Sequence, residues 1–157
     1  MLITKKNQYA LRAIYELAKQ RGKGPVKICQ IAEAQVIPER FLEVILGQLK
    51  KSGFVKSKRG YQGGYVLVPS PDQLTVGDLM RYLQQDVANH ECMAPIPESK
   101  CPFQTECAFF PMWKKVREAM FSVFDQTTIQ DLLDTRGTKG NYPKGFSPID
   151  EKRCSKD

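Results

Sequence analysis

The chain has 157 residues, 41% of them hydrophobic, and a net charge of +7; that length suits one domain with an appendage and a modest core. No run of 18 apolar residues exists, and the opening MLITKKNQYALRAIYELAKQRG mixes charge with apolar groups where a membrane span or signal peptide needs an apolar block. The expectation is a cytoplasmic protein with no membrane partner, in which five cysteines argue for metal or redox chemistry and against a disulfide scaffold.

The charge is lopsided. Residues 1–70 carry thirteen Lys or Arg against four Glu, a balance of +9, while residues 71–157 carry eleven against thirteen, a balance of −2. A basic half points to a polyanion, with nucleic acid ahead of membrane because no helix joins a basic face to a Trp and Leu face.

In chain order, Ala10, Ala13, Ile14, Leu17 and Ala18 recur at helical spacing, with Thr4 placed to cap the helix and Gly22 to stop it. A short helix around Ile28 to Ala34 follows, then a break at Val36-Ile37. Pro38 is expected in the first turn of the next helix, where its missing N–H costs nothing. Leu42, Ile45, Leu46 and Leu49 carry that helix to Ser52-Gly53. Two helices joined by a tight turn form a helix-turn-helix. Gly47 inside the second helix costs about 1 kcal/mol relative to alanine, and close packing is the expected reason.

Two strand-like runs, Phe54 to Lys58 and Gly64 to Val68, flank RGYQGG. Gly60, Gly63 and Gly64 are expected to supply the positive φ angles of a hairpin turn. A helix-turn-helix followed by a basic hairpin is a winged helix. Its recognition helix enters the major groove, while Lys56, Lys58 and Arg59 bring charge to the backbone or the minor groove. The fold class is therefore mainly α with a small β-hairpin wing.

Further on, TVGDLMRYL reads as a helix capped by Thr75 with Val76, Leu79, Met80 and Leu83 inward. A longer helix is expected from Phe109 to Gln126. Along it Phe109, Trp113, Val116, Met120 and Val123 alternate steps of four and three, the seam of a coiled coil, which suggests a homodimer interface. TTIQDLL offers one last capped turn of helix, and the polar tail beyond it has no period. The division expected is a winged helix-turn-helix over 1–84, a cysteine loop over 85–108, dimerisation and terminal helices over 109–134, and a disordered tail over 135–157.

The segments ALRAIYELA, QIAEAQVIPERFLEVILGQLKKSGFVKSKRGYQGGYVLVPSPDQLTVGDLM and the cysteine loop resemble the Rrf2 family of bacterial winged-helix regulators. The most specific element is SKRGYQGGY trailing FLEVILGQLKKSGFV. The resemblance covers roughly residues 1–134 and implies a homodimer that binds double-stranded operator DNA, usually as a repressor. It places Arg40, Phe41 and Glu43 at the groove-facing start of the recognition helix and Arg59 at the wing tip. Arg40 suits guanine and Glu43 a cytosine amino group; Pro38 and Glu39 adjoin them, Glu39 serving the groove or only the helix dipole. Gly60, Gln62 and Gly63 complete the wing, where Tyr61-Gln62 replaces the family's common Pro-rich tip. Lys27 stands where many members cap the second helix with Ser or Thr, so that end uses another acceptor or the lysine touches phosphate.

Many members also hold an iron-sulfur cluster, 2Fe-2S or 4Fe-4S, where Cys92, Cys101 and Cys107 lie in this chain. Their C-x8-C-x5-C spacing lacks the C-x2-C pairs usual for zinc, and clusters accept thiolates from looser loops. The fourth ligand is open. His90, the one histidine, precedes the first of these cysteines, whereas members with a histidine ligand place it after the third, where Phe110 stands. The acidic ligand other members use near the first helix is replaced by Asn7 and Gln8. Cys29 is expected in the core and Cys154 as a free thiol in the tail. A cluster-free regulator of the same fold that senses thiol state, a metabolite or a partner protein is the alternative. A metal-dependent enzyme or electron carrier is disfavoured: there is no Ser-His-Asp set, no phosphate-binding glycine loop and no paired carboxylates near the cysteines.

Overall fold

The computed structural model describes residues 3–84 and 107–135. Those residues form α1 (Lys5–Lys19), α2 (Ile28–Gln35), α3 (Glu39–Lys51), β1 (Val55–Lys58), β2 (Gly64–Leu67), α4 (Val76–Gln84), α5 (Phe110–Gln126) and α6 (Ile129–Asp134). No helix among them is long and apolar enough to cross a membrane. His90, Cys92, Cys101, Cys154 and nearly all of the tail lie outside the described residues.

Thr4 opens α1 as expected, its hydroxyl oxygen accepting from the Asn7 N–H at 3.2 Å. Ala10, Ala13 and Ile14 are wholly buried, and two alanines on one face let neighbouring helices approach closely. α1 is accordingly the hub, touching α2, α3, α4, α6 and β2. Glu16 is only 3% exposed. Burial pushes its carboxyl up, but donors from Gln35 (2.8 Å), Gln20 (3.2 Å) and Lys19 (3.3 Å), with the Lys19 charge, outweigh that and hold it below the ordinary carboxylate value. Arg12 also donates to the Gln35 carbonyl at 3.2 Å, so α1 grips the end of α2 from two sides.

α2 ends where Val36 turns left-handed (φ 53, ψ 51), a costly geometry for a β-branched residue. The Ile37 N–H bond to the Ala32 carbonyl (2.9 Å) and burial of the Ile37 side chain fix the turn. From α3, Leu42, Ile45, Leu46 and Leu49 enter the core.

β1 and β2 pair antiparallel, Val55 opposite Leu67 and Lys58 opposite Gly64. The hairpin has a further partner that no sequence pattern announced: Val26 and Tyr65 exchange two backbone bonds, of 2.9 and 2.8 Å. Gly64 permits it, because a Cβ there would stand 2.5 Å from the Val26 carbonyl oxygen.

Thr75 caps α4 by accepting from the Asp78 N–H at 3.0 Å, and Val76, Leu79, Met80 and Leu83 are buried as expected. After α5 the chain returns to the body: Val76 N–H donates to Thr127, Ile129 N–H to Leu74 and Gln130 N–H to Pro71. Thr128 caps α6 through the Asp131 N–H, and Ile129 is wholly buried in the same core as α1.

Candidate nucleic-acid interface

At about 100° per residue, the three core leucines and the isoleucine of α3 define one side, and Arg40, Val44, Gly47 and Lys51 project opposite to it. Glu39, Glu43 and Lys50 flank this outward line on one edge and Phe41 on the other, its ring 6.4 Å from that of Tyr9. Glu39, Arg40, Phe41 and Glu43 are all exposed, with Phe41 and Val44 each 62% accessible. Pro38 is one position earlier than expected: it is the N-cap, in extended conformation. Its ring prevents no bond there, and its carbonyl accepts from Phe41 (3.0 Å) and Leu42 (3.2 Å). Gly47 corrects the packing expectation, because a Cβ built on it meets no other described residue within 4 Å.

In the wing, Val55 points inward while Lys56, Ser57 and Lys58 are exposed. Arg59, Gly60, Tyr61 and Gln62 form the exposed tip, and the Gly63 N–H closes it on the Gly60 carbonyl at 2.8 Å. Gly60 has the expected positive φ of 108°. Gly63 does not belong with the positive-φ glycines; it is required because a Cβ would strike the Lys58 carbonyl oxygen and lie 2.7 Å from that of Gly60. Lys27 is the N-cap of α2 but its side chain makes no cap bond; the Gln30 side chain accepts from the Lys27 N–H at 2.9 Å. The lysine ammonium rests 5.3 Å from the Tyr61 ring centroid, which joins the start of α2 to the wing tip. Lys27, Arg40, Lys56, Lys58 and Arg59 make no ion pair with another described residue. No described carboxylate neutralises their charge, and all five side chains are exposed.

Cys107 is a free, half-exposed thiol just ahead of α5. Cys29, expected in the core, is also half-exposed because its place in the first turn of α2 lies beside the apolar face. Along α5 the five seam residues do not share one environment. Phe109 (65%), Val116 (44%) and Val123 (61%) are uncovered, together with Met112, while Trp113 and Met120 are half-buried. At about 100° per residue, Trp113 and Met120 sit on the border between the uncovered line and the body-facing line of Arg117, Phe121 and Phe124.

Two contacts of α4 were not foreseen. Arg81 pairs with Asp125 of α5 at 2.6 Å and lies 5.0 Å from the Phe121 ring centroid. Tyr82 donates its hydroxyl to the Gln48 carbonyl of α3 at 2.9 Å, its ring edge-on to Phe54. Neither partner is within reach of a local pattern, since both contacts span distant parts of the chain.

Residues 3–135 match the model of a family described as Rrf2, iron-dependent transcriptional regulator. The chain is 37% identical to the HTH-type transcriptional regulator CymR of Bacillus subtilis, covering 90% of this chain and 97% of that one. Among solved structures, T. potens IscR superposes with a TM-score of 0.68 at 31% identity, over 91% of this chain and 93% of the other. CymR (YrzC), the global cysteine regulator of B. subtilis, superposes with a TM-score of 0.65 at 36% identity, over 84% and 95%.

Proposed function

The chain belongs to the Rrf2 family of DNA-binding transcriptional regulators, and from that premise we propose that it is a homodimeric repressor whose hold on its operator follows the state of the Cys92, Cys101 and Cys107 loop. The observation that carries the DNA reading is the outward side of α3, where polar and apolar groups stand free beside a basic wing. In this reading Arg40 donates bidentately to guanine and Glu43 accepts from a cytosine amino group. Arg59 enters the minor groove, while Lys27, Lys56 and Lys58 meet phosphates. Pro38, Glu39 and Phe41 border the base-reading end; Gly60, Gln62 and Gly63 shape the wing. The uncovered line of α5 supports a dimer, with Phe109, Val116 and Val123 central to it and Trp113 and Met120 at its edge.

Three soft thiolates from one loop fit an iron-sulfur cluster, and Cys107, unbonded and half-exposed, suits one of the ligands. When bound, a 2Fe-2S or 4Fe-4S group supplies ligation sensitive to oxygen, nitric oxide and iron supply. His90 remains a candidate fourth ligand. Gln84 ends α4 where the loop begins, and α4 holds α5 through Arg81 and α3 through Tyr82. A change in the loop therefore has a short route to both the dimer helix and the recognition helix.

The similarity to a regulator described by its role in cysteine control favours a second reading, in which no cluster binds and thiol oxidation or a sulfur metabolite sets operator affinity. Anaerobic purification separates the two: absorption between about 320 and 450 nm with matching iron and sulfide supports the cluster. Binding of holo and apo protein to one operator at one salt concentration then tests sensing. Equal affinities would sink it.

A further inference from the structure

Resting on the operator-binding reading above, we propose that Val44 and Gly47 are specificity-determining residues: Val44 lies against a thymine methyl, and the missing side chain at Gly47 lets the α3 backbone close on the duplex. Gly47 lies well inside a 13-residue helix, where glycine is a poor choice relative to alanine. It has no positive φ, and a Cβ there would meet nothing within 4 Å. The described residues of the chain thus give no reason for glycine at 47. A close approach from outside the chain gives one.

The direction of that approach follows from the helix. Gly47 points away from the core between Arg40 and Lys51, about 4.5 Å along the axis from Val44 and about 6 Å from Lys51. Val44 offers 62% of its surface to solvent, and the apolar feature that a major groove presents is the C5 methyl of thymine. Cations with no ion pair among the described residues flank the face, which selects a polyanionic duplex over an apolar protein partner. Tyr82 pins the carbonyl of the very next residue, Gln48, so α3 cannot easily slide outward to relieve a crowded contact at 47.

The two residues make opposite demands on fold and function, and that makes the idea testable. An operator is first enriched from a random duplex library with the full-length protein. Gly47→Ala should then melt about 2–4 °C higher and yet bind that operator at least roughly tenfold more weakly, with affinity for unrelated duplex of the same length unchanged within about twofold. Replacing the operator's thymines one at a time by deoxyuridine, which removes only the methyl, should reveal one position per half-site that weakens the parent protein about fourfold and leaves Val44→Ala indifferent. A Gly47→Ala protein that is less stable, or that binds the operator like the parent, would overturn the role of Gly47. Absence of any thymine whose methyl is felt only through Val44 would overturn the other half. Failure to enrich any duplex would remove the DNA reading itself, and this inference with it.

Discussion

Gly64→Ala is the sharpest test of how the wing is fixed to the body. A Cβ at 64 would stand 2.5 Å from the Val26 carbonyl oxygen and 2.7 Å from its carbon, and backbone cannot yield as a flexible side chain would. Relief requires Val26 and Tyr65 to part, which gives up their two backbone bonds of 2.9 and 2.8 Å. At about 1 kcal/mol net for each bond, with about 1 kcal/mol more for a side chain in the φ 156 conformation of residue 64, the loss totals about 3 kcal/mol. For a chain of this length that is a fall of about 6–12 °C in melting temperature, measurable by calorimetry or far-ultraviolet circular dichroism. The hairpin's own ladder from Val55–Leu67 to Lys58–Gly64 would survive, but its tip would no longer be held at a set distance from α2, so operator affinity should fall along with stability. A variant within about 0.5 kcal/mol of the parent would show that the Val26 bridge does not hold the wing and would refute the reasoning.

Other consequences can be checked independently. Glu16 has its carboxyl held below the ordinary value in the folded state, so its contribution is present above the unfolded value and is lost as pH falls through the folded one; Glu16→Gln should cost about 1–2 kcal/mol at neutral pH, with the gap to the parent narrowing on the acid side of about pH 4.5 in urea titrations. Arg59→Ala should weaken operator binding by about 1–3 kcal/mol and relax its sequence preference, whereas Lys56→Ala should mainly reduce the slope of log affinity against log salt by about one, both read by fluorescence anisotropy. Asp125→Ala should cost under about 1 kcal/mol because the pair with Arg81 is half-exposed. Gly77→Ala, whose Cβ would collide with the Asp125 carboxylate, should cost about 1–3 kcal/mol in the parent and less in the Asp125→Ala background, as a double-mutant cycle would report.

Much of this architecture is legible because it obeys local rules. Thr4, Thr75 and Thr128 are hydroxyl caps ahead of apolar periods, and all three accept from the third residue on. The two strands announce themselves through their glycines and β-branched residues. What escaped reading depends on through-space neighbours. The lone residue Val26 pairs with Tyr65 across most of the winged module, and a single residue has no periodicity to detect. Gly60 and Gly63 look alike in sequence, yet one satisfies a dihedral angle and the other a close carbonyl. The seven-residue seam in α5 treats Trp113 and Val116 as equivalent, but a straight helix of 3.6 residues per turn rotates the first toward the body and leaves the second open. Val44 and Gly47, by contrast, fall on the outward line of α3 by the same count that found its core; the glycine is noticeable in sequence for its helical cost, whereas Val44 carries no charge to draw attention to it.

The core holds α4 and α5 unequally. α4 is anchored, with Val76, Leu79, Met80 and Leu83 all in the core. α5 has 17 residues and no fully buried side chain; only Phe121 and Phe124 pack, partly buried, against the core, and it is such packing that gives most helices their stability. Near its C-terminal end the chain is tied to the body by the Arg81–Asp125 pair and by the Val76 N–H bond to Thr127. At its N-terminal end lie Cys107 and the uncovered Phe109 and Met112. Residues 85–106, which lie outside the described residues, therefore connect in sequence the more deeply anchored helix α4 to the end of α5 farthest from that tie. If the proposed dimer forms along the uncovered line of α5, a change at the Cys107 end would bear on the spacing of its two recognition helices. In that proposed dimer, apolar contact across the line would stabilise α5 where the single chain leaves it uncovered.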